Sequence, residues 1–243
     1  MSKFNLEEHV AREHTISPIT TYIKEIVYGG TDGIVTTFAI VAGFAGAQTN
    51  PASQLPLFTI LLFGFANLFA DGVSMSLSNF MSSRSEKDVY KNAKEKERHE
   101  VLHNSEMEKL ETVAILTKKG FTKKQARDLV EIYATNPTYW TDFMMNHELE
   151  LPNPEGNNAV FMALATLLSF LMFGFIPLSP YVFLGERSTF GLSILATALA
   201  LSILGVIRWR VAQQSALRSI GEVLFLGGTA AVTAYFVGLF FRV

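Results

Sequence analysis

Two long apolar stretches dominate this chain, and a stretch dense in acid and base separates them. From Tyr28 to Arg84 and from Ala159 to Val243 charged side chains are few, whereas Ser85 to Glu155 carries one at almost every turn. A hydrocarbon layer of about 30 Å needs about 20 apolar residues in a helix rising about 1.5 Å per residue. Tyr28–Ala47, Leu55–Met81, Ala159–Phe183, Thr189–Ile207 and Ser219–Phe241 each meet that length. Gln48-Thr49-Asn50-Pro51 breaks the first pair, Pro177 and Pro180 close the third, Gly185-Glu186-Arg187 leads into the fourth, and Arg208 to Arg218 joins the last two. The charged stretch predicts three helices: Ser85–Thr117, ended by Lys118-Lys119-Gly120, then Thr122–Thr135 and Pro137–Leu149. The expected fold is therefore all-α, an integral membrane protein of five transmembrane helices with a three-helix insert between helices two and three. Its divisions fall at residues 1–27, 28–82, 83–157 and 158–243.

Composition agrees with this pattern, because 49% apolar residues and a positive mean hydropathy point towards lipid. A net charge of −2, with lysines and arginines matched by acids in the same segment, gives no basis for nucleic-acid binding. The absence of cysteine excludes thiolate ligands and cysteine nucleophiles, so any metal must use oxygen, nitrogen or methionine sulfur. Cytoplasmic loops are rich in lysine and arginine. Arg208, Arg210 and Arg218 then fall on the same side as Lys3, Arg12, Lys24 and the insert, with Arg187 and Arg242 opposite. The N-terminus and insert are expected in the cytoplasm. Leu6, Val10, Ile16, Ile19 and Ile23 suggest an interrupted amphipathic segment, with a second short helix starting at Ser17-Pro18. This N-terminus does not read as a signal peptide, and with the short termini it favours a bacterial inner (plasma) membrane.

Ionisable groups inside a spanning helix cost a few kcal/mol each. Asp32 and Asp71 are the clearest cases, and both read as functional. On the second helix Asn67, Asp71, Ser74, Met75 and Ser78 recur at helical spacing, a face of oxygen donors and one thioether that suits a cation path. Glu222, early in the fifth helix, reads as snorkelling towards the cytoplasmic interface or pairing with Arg218 one turn earlier. Gly29 and Gly33 have the GxxxG spacing that permits close helix approach, within the chain or between two copies.

In the insert, Glu97 with Glu100 and Glu108 with Glu111 form two E-x-x-E pairs. Like charges at this spacing repel, and a divalent cation would remove the repulsion, although such runs are commonly just solvated faces. The run Asp142-Phe143-Met144-Met145-Asn146-His147-Glu148 adds two soft sulfurs, an imidazole and a carboxylate, a mixture that favours transition metals. His99, His103 and His147 are further candidate ligands.

Asp32-Gly33-Ile34-Val35-Thr36-Thr37-Phe38-Ala39, Gly72-Val73-Ser74-Met75-Ser76 and Asp142-Phe143-Met144-Met145 together resemble the vacuolar iron transporter family, and the likeness runs from Tyr28 to Val243. The resemblance implies a homodimer in membrane lipid that is a transporter and not an enzyme. It would move Fe2+, and often Mn2+, out of the cytoplasm by antiport against protons. It also implies that Asp32 and Met75 line the membrane pathway, while Glu97, Glu100, Glu108, Glu111, Met144, Met145 and Glu148 bind metal in a cytoplasmic domain. The family pattern commonly has a glutamate where this chain has Asn67, which cannot titrate. Asp71, one turn later, is the candidate replacement. Two rivals stand beside transport: a membrane-anchored di-iron oxidase, and a metal sensor that moves nothing. Crowding of both E-x-x-E pairs onto one helix argues against the first. Asp32 and Asp71 argue against the second.

Overall fold

The computed structural model describes residues 5, 9, 12, 17–47, 57–156, 158–185, 189–213 and 215–241. Most of the expected N-terminal amphipathic segment, the Gln48-Thr49-Asn50-Pro51 break, Arg187 and Arg242 lie outside them. Helices run α1 (Pro18–Thr21), α2 (Ile23–Ala47), α3 (Leu57–His103), α4 (Ser105–Lys118), α5 (Lys123–Ala134), α6 (Pro137–His147), α7 (Ala159–Leu184), α8 (Thr189–Ala212) and α9 (Ala216–Phe240), with no strand among the described residues. The helices α2, α3, α7, α8 and α9 are long and apolar enough to cross a membrane. The chain divides into two compact units, Met1–Phe80 with Val160–Val243, and Met81–Ala159.

In the first unit, small residues set the helix spacing. A Cβ on Gly33 would overlap the Phe170 carbonyl of α7, and one on Gly29 would come within 2.7 Å of the Thr166 carbonyl. The GxxxG stripe therefore serves packing within the chain. Gly46 and Gly238 bring α2 and α9 equally close, against Tyr235 and Gly43. Buried hydroxyls tie neighbours together: Ser76 donates to the Ala163 carbonyl at 2.8 Å, Ser193 to Pro177 at 2.7 Å and Ser219 to Gly205 at 2.9 Å. Apolar clusters fill the rest, one around Val41, Ile60 and Leu178 and another around Ile34, Leu201 and Leu204.

Pro177 and Pro180 do not close the third spanning helix; both lie inside α7, which continues to Leu184. Pro180 cannot donate to the carbonyl of Ile176, and Ser179 Oγ donates to it instead at 2.7 Å. The Ser17-Pro18 helix start is present, with Ser17 Oγ accepting from the Thr20 amide at 3.2 Å. Glu222 pairs with Arg218 at 2.9 Å, as expected, and with Arg208 at 2.7 Å.

The second unit departs from the sequence reading in one respect that matters. No break follows Met81, and α3 runs without interruption to His103. The expected helix Ser85–Thr117 is instead divided at Asn104, whose φ of −128° and ψ of 38° leave the helical region before α4 begins. Asparagine competes with helix through local hydrogen bonding, which makes it a plausible breaking point in a run lacking Pro and Gly. Gly120, at φ +104°, closes α4. A capping box between Thr122 and Gln125 starts α5, and Asn136 with Pro137 starts α6. Val101, Leu116, Ala126, Val130, Trp140, Phe143 and Met144 form this unit's core.

Candidate functional site

The turn at Asn104 places Glu97 and Glu100 on α3 and Glu108 and Glu111 on α4, so the two E-x-x-E pairs lie on different helices. The crowding argument against a di-iron site is thereby overturned. Carboxylate oxygens of Glu97, Glu108 and Glu148 lie within 4.8 Å of one another. Glu97 and Glu108 are each 3% exposed, while Glu148, at the end of α6, is exposed. Glu97 Oε1 and Glu108 Oε2 are buried and have no hydrogen-bond donor when both groups are ionised, whereas a proton held by the pair bonds one carboxyl to the other. Leaving such oxygens unpaired costs about 1–3 kcal/mol or more each.

Electrostatics follow from this crowding. Burial, followed by the charges of Glu148 and Glu100, pushes the Glu97 carboxyl up to about 7. Burial, followed by the charges of Glu97, Glu111 and Glu148, pushes Glu108 up to about 8. Glu148 is raised as well, by burial and then by Glu111 and Glu100. Half-buried Glu100 and Glu111 thus act on the cluster through their charges, and Glu100 also meets Lys96 at 3.7 Å. All-oxygen surroundings at this density are chemically suited to a divalent cation.

Met144 and Met145 are fully buried. Thr112 Oγ1 lies 2.7 Å from the Glu108 carbonyl and 3.2 Å from Met144 Sδ, which sets that sulfur beside the Glu108 turn. Trp140 Nε1 donates to the same hydroxyl at 2.8 Å. Sequence reasoning missed Thr112 and Trp140; a threonine between Glu108 and Met144 in the packing order gives no periodic signal of its own. Asp142 is paired with Lys94 at 2.6 Å. His147 packs edge-on to Phe143, and burial, followed by the Lys119 charge, lowers its basicity. His99 and His103 stack on each other.

In the membrane-spanning unit, Asp32 lines a cavity of about 770 Å³ between α2, α8 and α9, with Lys24, Arg208 and Glu222. Asp71 lies close enough for its charge to act on Asp32. Asn67 lines a different cavity of about 790 Å³, beside Gly43, Phe44 and Ala47 of α2. Asn67, Asp71 and Met75 are all half-buried along α3, but Ser74 and Ser78 are exposed. Ser76, between them in sequence, is buried. Asn79 Nδ2 donates to Thr166 Oγ1 at 2.8 Å, holding α3 to α7.

A sequence model of the VIT family matches residues 23–239. The chain is 30% identical over 231 residues to a vacuolar iron transporter 1 of Tulipa gesneriana, covering 95% of this chain and 90% of that one. It is 31% identical over 245 residues to a vacuolar iron transporter of Plasmodium falciparum, covering 97% and 86%. A vacuolar iron transporter of Toxoplasma gondii is 33% identical over 244 residues, covering 93% and 76%.

Proposed function

The chain belongs to the VIT family and transports metal across a membrane, and from that premise we propose that its cargo is Fe2+, with Mn2+ as a second substrate, carried out of the cytoplasm against protons. The observation that carries this reading is the pair of buried oxygens on Glu97 and Glu108, without a donor when both groups are ionised, converging with Glu148. A divalent cation there supplies the missing partner and offsets the mutual repulsion. Glu100, Glu111, Met144 and Met145 complete the proposed ligand set.

Asp32, Asn67, Asp71 and Met75 line the proposed route through the membrane. Asp71 supplies the titratable carboxylate that Asn67 does not. Two copies meeting along this route would cover the exposed Ser74 and Ser78, taking their hydroxyls out of lipid. The N-terminus and the insert face the cytoplasm in this reading. The relatives carry the vacuole in their names, so the expected bacterial plasma membrane draws no support from them.

Proteoliposomes test the proposal. An imposed pH gradient should drive Fe2+ and Mn2+ uptake, and Asp32→Ala should abolish it while the insert still binds metal. Vesicles that stay impermeable to both ions under either gradient direction would reject transport. The di-iron oxidase remains a second reading, because the E-x-x-E pairs do lie on separate helices. Di-iron bundles add an E-x-x-H motif from each of two helices, and the group of three acids here contains no histidine among the described residues. Rapid oxidation of Fe2+ by the aerobic purified protein would favour that reading.

A further inference from the structure

Outside the carboxylate cluster, α3 carries a pair of imidazoles. Its outer face presents His99 and His103, one turn apart and both exposed. Their rings stack with centroids 4.2 Å apart and planes 19° from parallel. His103 Nδ1 lies 2.9 Å from the His99 carbonyl oxygen. A carbonyl only accepts, so Nδ1 carries the proton and the neutral ring keeps its lone pair on Nε2. Metal-bound histidines are commonly oriented this way, with the other ring nitrogen donating to a backbone carbonyl.

We propose that His99 and His103 form a second divalent-metal site of imidazole type, separate from the carboxylate cluster, that takes Zn2+ or Cu2+ in preference to Mn2+. Their spacing is that of the two histidines that hold zinc on one helical face in H-E-x-x-H motifs. Glu95, exposed one turn before His99, occupies the same helical face. Two residues separate Glu97 from His99, a rotation of about 200° around the helix. Burial agrees, since Glu97 faces the interior while both histidines face out. Imidazole suits ions late in the Irving–Williams order, whereas carboxylate oxygen suits Mn2+. The pair would give the insert a place to hold zinc or copper apart from the acids that take harder ions.

The test uses the full-length protein in detergent micelles and reads binding alone, so its outcome is independent of transport. Cu2+ at one equivalent, followed by electron paramagnetic resonance, should show coupling to two nitrogens in the wild type and in Glu97→Gln/Glu108→Gln. That coupling should vanish in His99→Ala/His103→Ala. Zn2+ titration by calorimetry should lose one equivalent in the same variant, and either single alanine should weaken that equivalent at least tenfold. Both positions are exposed, so circular dichroism and the melting curve should not change. Two-nitrogen coupling that survives removal of both histidines would place copper on His9, His14 or His147 and overturn the proposal. An unchanged Zn2+ stoichiometry would do the same.

Discussion

Metal binding at the carboxylate cluster should expel protons in a number set by its geometry. With the pair titrating at about 7 and about 8, the metal-free cluster at pH 7 holds about 1.4 protons between Glu97 and Glu108. A cation that needs both ionised then releases about 1.4 protons at pH 7. Its affinity should rise roughly 50-fold between pH 6 and pH 7, but only about twofold between pH 8 and pH 9. The same shifts act on folding. Both carboxyls are raised above their ordinary 4.5, so the folded state binds more protons than the unfolded one between pH 4.5 and about 8. The stability of the metal-free protein is full below that window and falls as pH rises through it. Anaerobic Fe2+ or Mn2+ calorimetry, repeated in buffers of different ionisation enthalpy, counts the protons directly. Glu108→Gln should cut the release to about half a proton at pH 7 and raise the metal-free melting point at pH 8 while weakening metal binding. A release near zero at pH 7, or an affinity indifferent to pH between 6 and 7, would refute the reasoning.

Thr112→Val keeps the side chain's shape but leaves the Trp140 indole N–H buried without an acceptor, and should cost about 1–3 kcal/mol in chemical denaturation; no loss would mean that the indole finds another partner. Gly33→Ala drives a methyl into the Phe170 backbone and should lower the melting point in detergent by the equivalent of about 1–3 kcal/mol or more, while Gly228→Ala, with open space around it, should stay within about 0.5 kcal/mol. Asp71→Asn should flatten the pH dependence of Fe2+ uptake into proteoliposomes; uptake with an unchanged pH profile would show that Asp71 does not replace the glutamate absent at Asn67.

The spanning helices were legible in the sequence because a single constraint, about 20 apolar residues in lipid, acts on every one of them. Their ends were less so. Proline punctuates a helix in water by leaving a carbonyl unpaired, but Ser179 satisfies the carbonyl of Ile176 and α7 runs on through Pro180. The insert was misread at Asn104 for the opposite reason: no Pro or Gly marks the break. Charge density alone could not reveal that α3 carries one pair of glutamates and α4 the other.

That break changes what the repeated acids mean. Along one straight helix, Glu97 and Glu108 would lie eleven residues and about 16 Å apart, too far to touch one ion. Dividing the helix allows α3 and α4 to lie side by side, and oxygens from both then meet one from Glu148 within 4.8 Å. The cost is two buried carboxyls with oxygens unpaired when ionised and raised proton affinity. A fold shaped only for stability would be better served by apolar or paired side chains at those positions. The arrangement makes sense when a cation arrives and protons leave, which would couple metal occupancy of the cluster to pH.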